Sequence, residues 1–150
     1  MIFFDNLIVF PVLESKFLIQ KVHNLLCSIG ASPSIGDLYH LNDYNGKETD
    51  PIVIEEKEKV IQQLINWPTG GWITYDIQGG DLLVSYITAA DHFVHVISIS
   101  EQRANERDYN SKAVEQLILK IGDLVNAQYI LRGESILSND NKAIKTILNI

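Results

Sequence analysis

The hydrophobic positions change their period several times along the 150 residues, and each change marks an expected element. Met1 to Phe10 is rich in Phe and Ile and closed by Pro11, which predicts a strand followed by a helix start. From about Leu13 to Ile29 the apolar residues recur at helical spacing. Leu18, Ile19, Val22, Leu25, Leu26 and Ile29 share one stripe, and Gly30 supplies the stop. Ser32-Pro33-Ser34 reads as a turn before a short apolar patch, Ile35 to Leu41, and Asn42 to Thr49 as an exposed loop. Asp50-Pro51 has the chemistry of an N-cap and a first-turn proline. A second helix is therefore expected to about Asn66, with Val53, Val60, Ile61 and Leu64 inward, although Ile52-Val53-Ile54 also fits the opening of a strand.

Pro68 and Gly70-Gly71 end that element, and a meander follows: Trp72 to Gln78, Leu82 to Thr88 and Phe93 to Ser100. With Gly79-Gly80 as a two-residue hairpin loop, Gln78 faces Asp81, Ile77 faces Leu82, Tyr75 faces Val84 and Ile73 faces Tyr86. One hairpin face is then apolar or aromatic. The other sets Trp72, Thr74 and Asp76 against Leu83, Ser85 and Ile87. The third strand is apolar on both sides, which predicts a central position. Glu101 to Asn110 reads as a charged connection, after which Ser111 caps a helix with Val114, Leu117, Ile118, Ile121, Leu124 and Val125 as its stripe. Gln128 to Arg132 predicts one more strand, and a short helix is expected from about Asn139. The order β-α-β-α-βββ-α-β-α indicates one α+β domain over residues 1–150, a mainly antiparallel sheet with a central three-strand meander and about four helices packed on it.

Composition narrows the function classes. A chain of 150 residues, 46% hydrophobic and 21% charged, suits one folded core. The sequence pI of about 4.9 argues against nucleic-acid partners, whose phosphates select Lys/Arg clusters, and against membrane surfaces. The apolar N-terminus contains Asp5 and Asn6 and lacks a basic n-region, so a signal peptide is not expected, and cytoplasmic localisation is. The single cysteine, Cys27, excludes an internal disulfide and any multi-cysteine metal site.

The net charge of −7 is unevenly placed. Between Asp37 and Asp91 stand ten acids against three lysines, while the flanking segments balance at two against two and seven against seven. Asp43, Glu48 and Asp50 lie in the loop and at the helix start, Glu55, Glu56 and Glu58 on the helix face beside Lys57 and Lys59, and Asp76, Asp81 and Asp91 around the meander. A run such as Glu55 to Lys59 is most often a solvated helix face. If the pieces converge in space they form a surface for a basic partner, with Trp72 as an aromatic anchor, although a tryptophan in a small domain is more often core.

Catalytic and metal chemistry find little support. His92 and His95 are three apart in a strand and point to opposite faces, and His40 near Asp37 and Asp43 has only generic spacing. His23 and Cys27 stand four apart on a helix, but Cys27 is at the C-terminal end, where the dipole disfavours a thiolate. Paired carboxylates among Asp76, Asp81 and Asp91 have no fixed separation, and Asp81 is accounted for as a turn residue. Gly70-Gly71 and Gly79-Gly80 precede no helix with a phosphate-binding lysine. No catalytic residue, metal or cofactor is expected, nor an enzyme.

In size, acidity, the acidic helix Asp50 to Asn66 and the meander followed by Ser111 to Asn126, the chain resembles the immunity proteins of bacterial polymorphic toxin systems. The resemblance implies a small cytoplasmic α+β protein that neutralises a cognate toxin domain, often a basic nuclease, by covering its active site or substrate path. Three other classes fit the same features: a secretion chaperone, which would dimerise around an extended client, a small enzyme with a deep polar pocket, and a structural subunit of some complex.

Overall fold

The computed structural model describes residues 4–11, 17–34, 38–39, 52–53, 71–89 and 94–134. Its centre is a six-stranded antiparallel sheet in the order β2-β5-β6-β7-β1-β8. The strands are β1 (Phe4–Phe10), β2 (Ser32–Pro33), β5 (Gly71–Ile77), β6 (Gly80–Ala89), β7 (Val94–Arg103) and β8 (Tyr129–Glu134). A separate two-stranded ladder joins β3 (Leu38–Tyr39) to β4 (Ile52–Val53). Two helices complete the described elements, α1 (Leu18–Ser28) and α2 (Ser111–Val125).

The α+β class and the antiparallel meander agree with the sequence pattern, and β7 is central, between β6 and β1. Four expectations are corrected. About four helices were expected and two are found among the described residues; the helix expected from about Asn139 and most of the one from Asp50 lie outside them. Ile52–Val53, where that second helix was to begin, pair as a strand with Leu38–Tyr39, the alternative that two adjacent β-branched residues favour. Ser32–Pro33 is not a free turn but an edge strand on β5, a place where proline's missing N–H removes no ladder bond. The cap of α2 is Asn110, whose Oδ1 accepts from the Ala113 N–H at 3.1 Å, rather than Ser111.

One sheet face packs against both helices. Ile8 and Phe10 of β1, Ile73 and Tyr75 of β5, Leu82, Val84 and Tyr86 of β6, and Ile97 and Ile99 of β7 meet Leu18, Ile19, Val22 and Leu26 of α1 and Val114, Leu117, Ile118 and Ile121 of α2. Each fully buried aliphatic or aromatic side chain contributes about 1.5–3 kcal/mol, so this layer dominates stability. The opposite face is also closed to solvent over β1 and β7, where Leu7, Val9, Val96 and Ser98 are buried. Gly30, at φ +89°, ends α1 in a Schellman arrangement: Ala31 N–H donates to Leu26 O at 3.1 Å and Gly30 N–H to Cys27 O at 3.0 Å. Among the described residues no helix is long and apolar enough to cross a membrane.

The hairpin register differs from expectation by two residues. The loop is Gln78-Gly79, and the pairs are Ile77 with Gly80, Asp76 with Asp81, Tyr75 with Leu82, Thr74 with Leu83, Ile73 with Val84 and Trp72 with Ser85. Gly80 is needed inside the strand: a Cβ there would lie 2.1 Å from Gln102 O of β7. Gly79 supplies the positive φ of +79°, and its own Cβ would lie 2.6 Å from Tyr109 N. Because the shift is even, every side chain keeps its predicted face.

Candidate functional site

Three groups of side chains carry chemistry. The first is the outer face of the β5–β6 hairpin. Trp72, Asp76 and Asp81 share it, with Thr74, Leu83 and Ser85 between them, and Trp72 is half-buried rather than core. The corrected register sets the two aspartates directly opposite each other, a cross-strand like-charge pair that works against the sheet. Asp76 is exposed, and its Oδ1 accepts from Ser34 Oγ at 2.7 Å, which ties it to β2. Asp43, Glu48, Asp50, Glu55, Glu56, Glu58 and Asp91 lie outside the described residues.

The second group surrounds Glu101, which pattern reading assigned to a charged connection. It belongs instead to β7 and continues the parity of Ile97 and Ile99, so it points to the helix-covered side and is 1% exposed. A buried carboxylate must find donors, and here three elements supply them. Tyr109 OH donates to Oε1 at 2.5 Å, Asn6 Nδ2 to Oε2 at 2.8 Å, and Arg103 NH2 to Oε1 at 3.3 Å. Arg132 lies 4.0 Å from Oε2, donates its Nε to Asn6 Oδ1 at 2.7 Å, and reaches Glu115 on α2 at 3.6 Å.

The Phe4 ring is in cation–π contact with both guanidinium groups, its centroid 5.1 Å from Arg103 and 5.3 Å from Arg132. Burial first, and then the bond to Glu101, push the Tyr109 phenol far above its usual pKa, so it remains a donor. A cleft of about 730 Å³ opens beside this cluster, lined by Phe4, Gln102, Arg103, Ala104, Glu106 and Glu134 as well as Glu101. Both Glu101 oxygens are already engaged and the side chain is out of contact with solvent. The network therefore braces the ends of β1, β7 and β8 rather than offering a free acid or base.

The third group is His23, Tyr75 and Cys27. Tyr75 is fully buried on β5, and its hydroxyl lies 2.7 Å from His23 Nδ1 on α1. The other ring nitrogen, Nε2, lies 3.5 Å from the exposed Cys27 Sγ one turn further on. Burial lowers the pKa of His23 and raises that of Cys27, so at neutral pH the resting pair is imidazole and thiol rather than imidazolium and thiolate. Cysteine nucleophiles depend on the second of these. The pair was visible in the sequence at helical spacing; its link to Tyr75, 52 positions away from His23, was not.

Among the described residues no three His, Cys, Asp or Glu side chains converge as a metal-binding group. His95 is buried, its ring 5.5 Å from that of Phe10, and His92 lies outside the described residues. No protein-family model, no curated protein and no solved structure matches the chain.

Proposed function

We propose that the chain is a binding protein that neutralises a cognate bacterial toxin domain, an immunity protein, and that the outer face of the β5–β6 hairpin is part of its docking surface. The observation that supports this reading is the pairing of Asp76 with Asp81 on the face that carries Trp72. Two carboxylates opposite each other weaken a hairpin by a few tenths of a kcal/mol to about 1 kcal/mol. A basic partner that meets both converts that repulsion into attraction. It also covers Trp72, a residue type enriched at the centres of interfaces. Acidic side chains on a nuclease inhibitor mimic the phosphates its target recognises and speed association.

The test is co-purification with the C-terminal domain of a large secreted protein encoded immediately upstream, followed by titration of the isolated pair. The combined variant Asp76→Lys/Asp81→Lys should lose at least about a hundredfold in affinity, because close interfacial charge pairs couple by roughly 1.5–7 kcal/mol. Wild-type affinity should fall with added salt. Asp76→Asn, which keeps an acceptor for Ser34, should weaken binding while stabilising the free protein by a few tenths of a kcal/mol. Affinity that is insensitive both to salt and to the double reversal would refute the acidic docking face.

A further inference from the structure

We infer that the chain forms a symmetric dimer through β8, whose outer edge pairs antiparallel with the same strand of a second copy to make one continuous sheet. In the order β2-β5-β6-β7-β1-β8 the sheet ends at β2 and β8. A terminal strand presents backbone N–H and C=O groups with no ladder partner, and monomeric proteins blunt it by shortness, proline, lysine or a bulge. β2 is blunted twice over, being two residues long and containing Pro33. β8 has none of these devices. It runs for six residues, Tyr129 to Glu134, in an unbroken register with β1, contains neither proline nor lysine, and among the described residues no strand pairs with its outer side.

The sequence of β8 is complementary to itself. A two-fold axis perpendicular to the sheet keeps each face on its own side, so residues paired across it must share a face. Centred on Leu131, the register aligns Tyr129 to Gly133: Leu131 meets Leu131 of the second copy, Tyr129 meets Gly133 of the second copy, and Ile130 meets Arg132 of the second copy. The tyrosine ring then covers the backbone that the glycine leaves bare, and the aliphatic stem of the arginine lies along the isoleucine. Centred on Arg132, the register would set two guanidinium groups opposite each other. Centred on Ile130 or on Gly133, it would pair only Tyr129 to Leu131 or Arg132 to Glu134 within the strand. Charge permits the contact, because Arg132 and Glu134 leave this edge neutral in a chain of net charge −7.

An exposed apolar side chain flanks the edge on each face of the sheet. Tyr129, 54% exposed, shares the outer face with Leu131, and Leu119, 55% exposed, stands on the opposite face on the side of α2 that overhangs β8. Leu119 is one turn from Glu115, which reaches Arg132 at 3.6 Å, and three residues before Gly122, which backs onto Ile130. α2 packs over β1. With strands about 4.8 Å apart, the two copies of β1 lie about 14 Å from each other. Two helices about 10–12 Å across fit over them without overlap, and Leu119 from each enters the seam. The inference stands independently of the docking face, because the β5–β6 hairpin lies toward the other end of the sheet and stays open in the dimer.

Sedimentation equilibrium of the full chain tests this. The mass should rise with concentration from 16.9 kDa toward twice that value. Tyr129→Lys and Leu119→Lys should each weaken the dimer at least about tenfold, because a two-fold interface carries every substitution twice. Circular dichroism should show both folds retained, since each side chain is more than half exposed. Leu131→Cys in a Cys27→Ser background should link two chains under mild oxidation, because directly opposed Cβ atoms of an antiparallel pair lie about 4.5–5.5 Å apart. If Leu131→Cys fails to fold, the two lysine variants decide the matter. The inference is overturned if the mass stays at 16.9 kDa at millimolar concentration, or if a dimer forms whose dissociation constant neither lysine variant changes. A folded Leu131→Cys variant that dimerises without cross-linking would overturn the register centred on Leu131.

Discussion

Tyr109→Phe isolates a short, buried hydrogen bond to a carboxylate. The variant removes one oxygen and keeps the ring, so the stacking of Arg103 at 5.2 Å and the packing of the loop over Gly79 both remain. What is lost is a 2.5 Å hydrogen bond to a carboxylate that is 1% exposed. Hydrogen bonds to charged groups contribute about 1.5–3 kcal/mol, and this one is short and buried. Oε1 then keeps the 3.3 Å contact with Arg103, and the Glu101 side chain itself is out of contact with solvent. We expect a loss of about 2 kcal/mol, read as a lower urea midpoint at unchanged slope. In a domain of this size the same loss lowers Tm by about 4–8 °C. In a Glu101→Gln background the substitution should cost about half as much, because the carboxylate charge is gone. A cost below about 0.5 kcal/mol, or an equal cost in both backgrounds, would refute the assignment of Tyr109 and Glu101 as a charge-assisted pair.

Two further predictions concern backbone space and pH. Gly80→Ala should destabilise by about 1–3 kcal/mol or more in urea unfolding, because its Cβ would lie 2.1 Å from the Gln102 carbonyl on a neighbouring central strand, which cannot move aside. Burial lowers the pKa of His23 from the ordinary 6.5, so the unfolded chain binds a proton that the folded chain resists. Stability from this group is complete above about pH 6.5 and is lost as pH falls from there through the lower folded value. Urea midpoints should therefore decline between neutral and mildly acidic pH more steeply in the wild type than in His23→Gln; equal slopes would place His23 outside the linkage.

Element identity was largely legible in the pattern of apolar residues. The stripes of α1 and α2 pack on the core as their spacing requires except at Leu124, which is exposed near the end of α2; Gly30 stops α1, and the alternation in β5, β6 and β7 assigns each side chain to its face. Local signals misread other places because each had two chemically sound outcomes. Ser32–Pro33 carries turn residues yet finds an open edge on β5, and Gly79-Gly80 permits two loops whose choice rests on how closely Gly80 approaches Gln102. Trp72, Asp76 and Asp81 were recognisable as a charged and aromatic group; that the two aspartates face each other depends on a register set by β7.

The Glu101 network was illegible for a different reason. Asn6, Glu101, Tyr109 and Arg132 are each unremarkable polar residues in sequence, and Glu101 is separated from Asn6 by 95 positions, as Asn6 is from Arg132 by 126. A continued parity count through Ile97, Ile99 and Glu101 would have turned that carboxylate inward, which is the signal the sequence did hold. Its partners follow only from strand order, since β1 lies between β7 and β8 and brings Asn6 between Glu101 and Arg132. The sequence by itself therefore determined the elements, their buried faces and the excess of acid, all properties of residues a few positions apart. The tertiary structure decided which distant polar groups meet, because that requires long loops to close around a core whose apolar burial supplies the free energy to hold them.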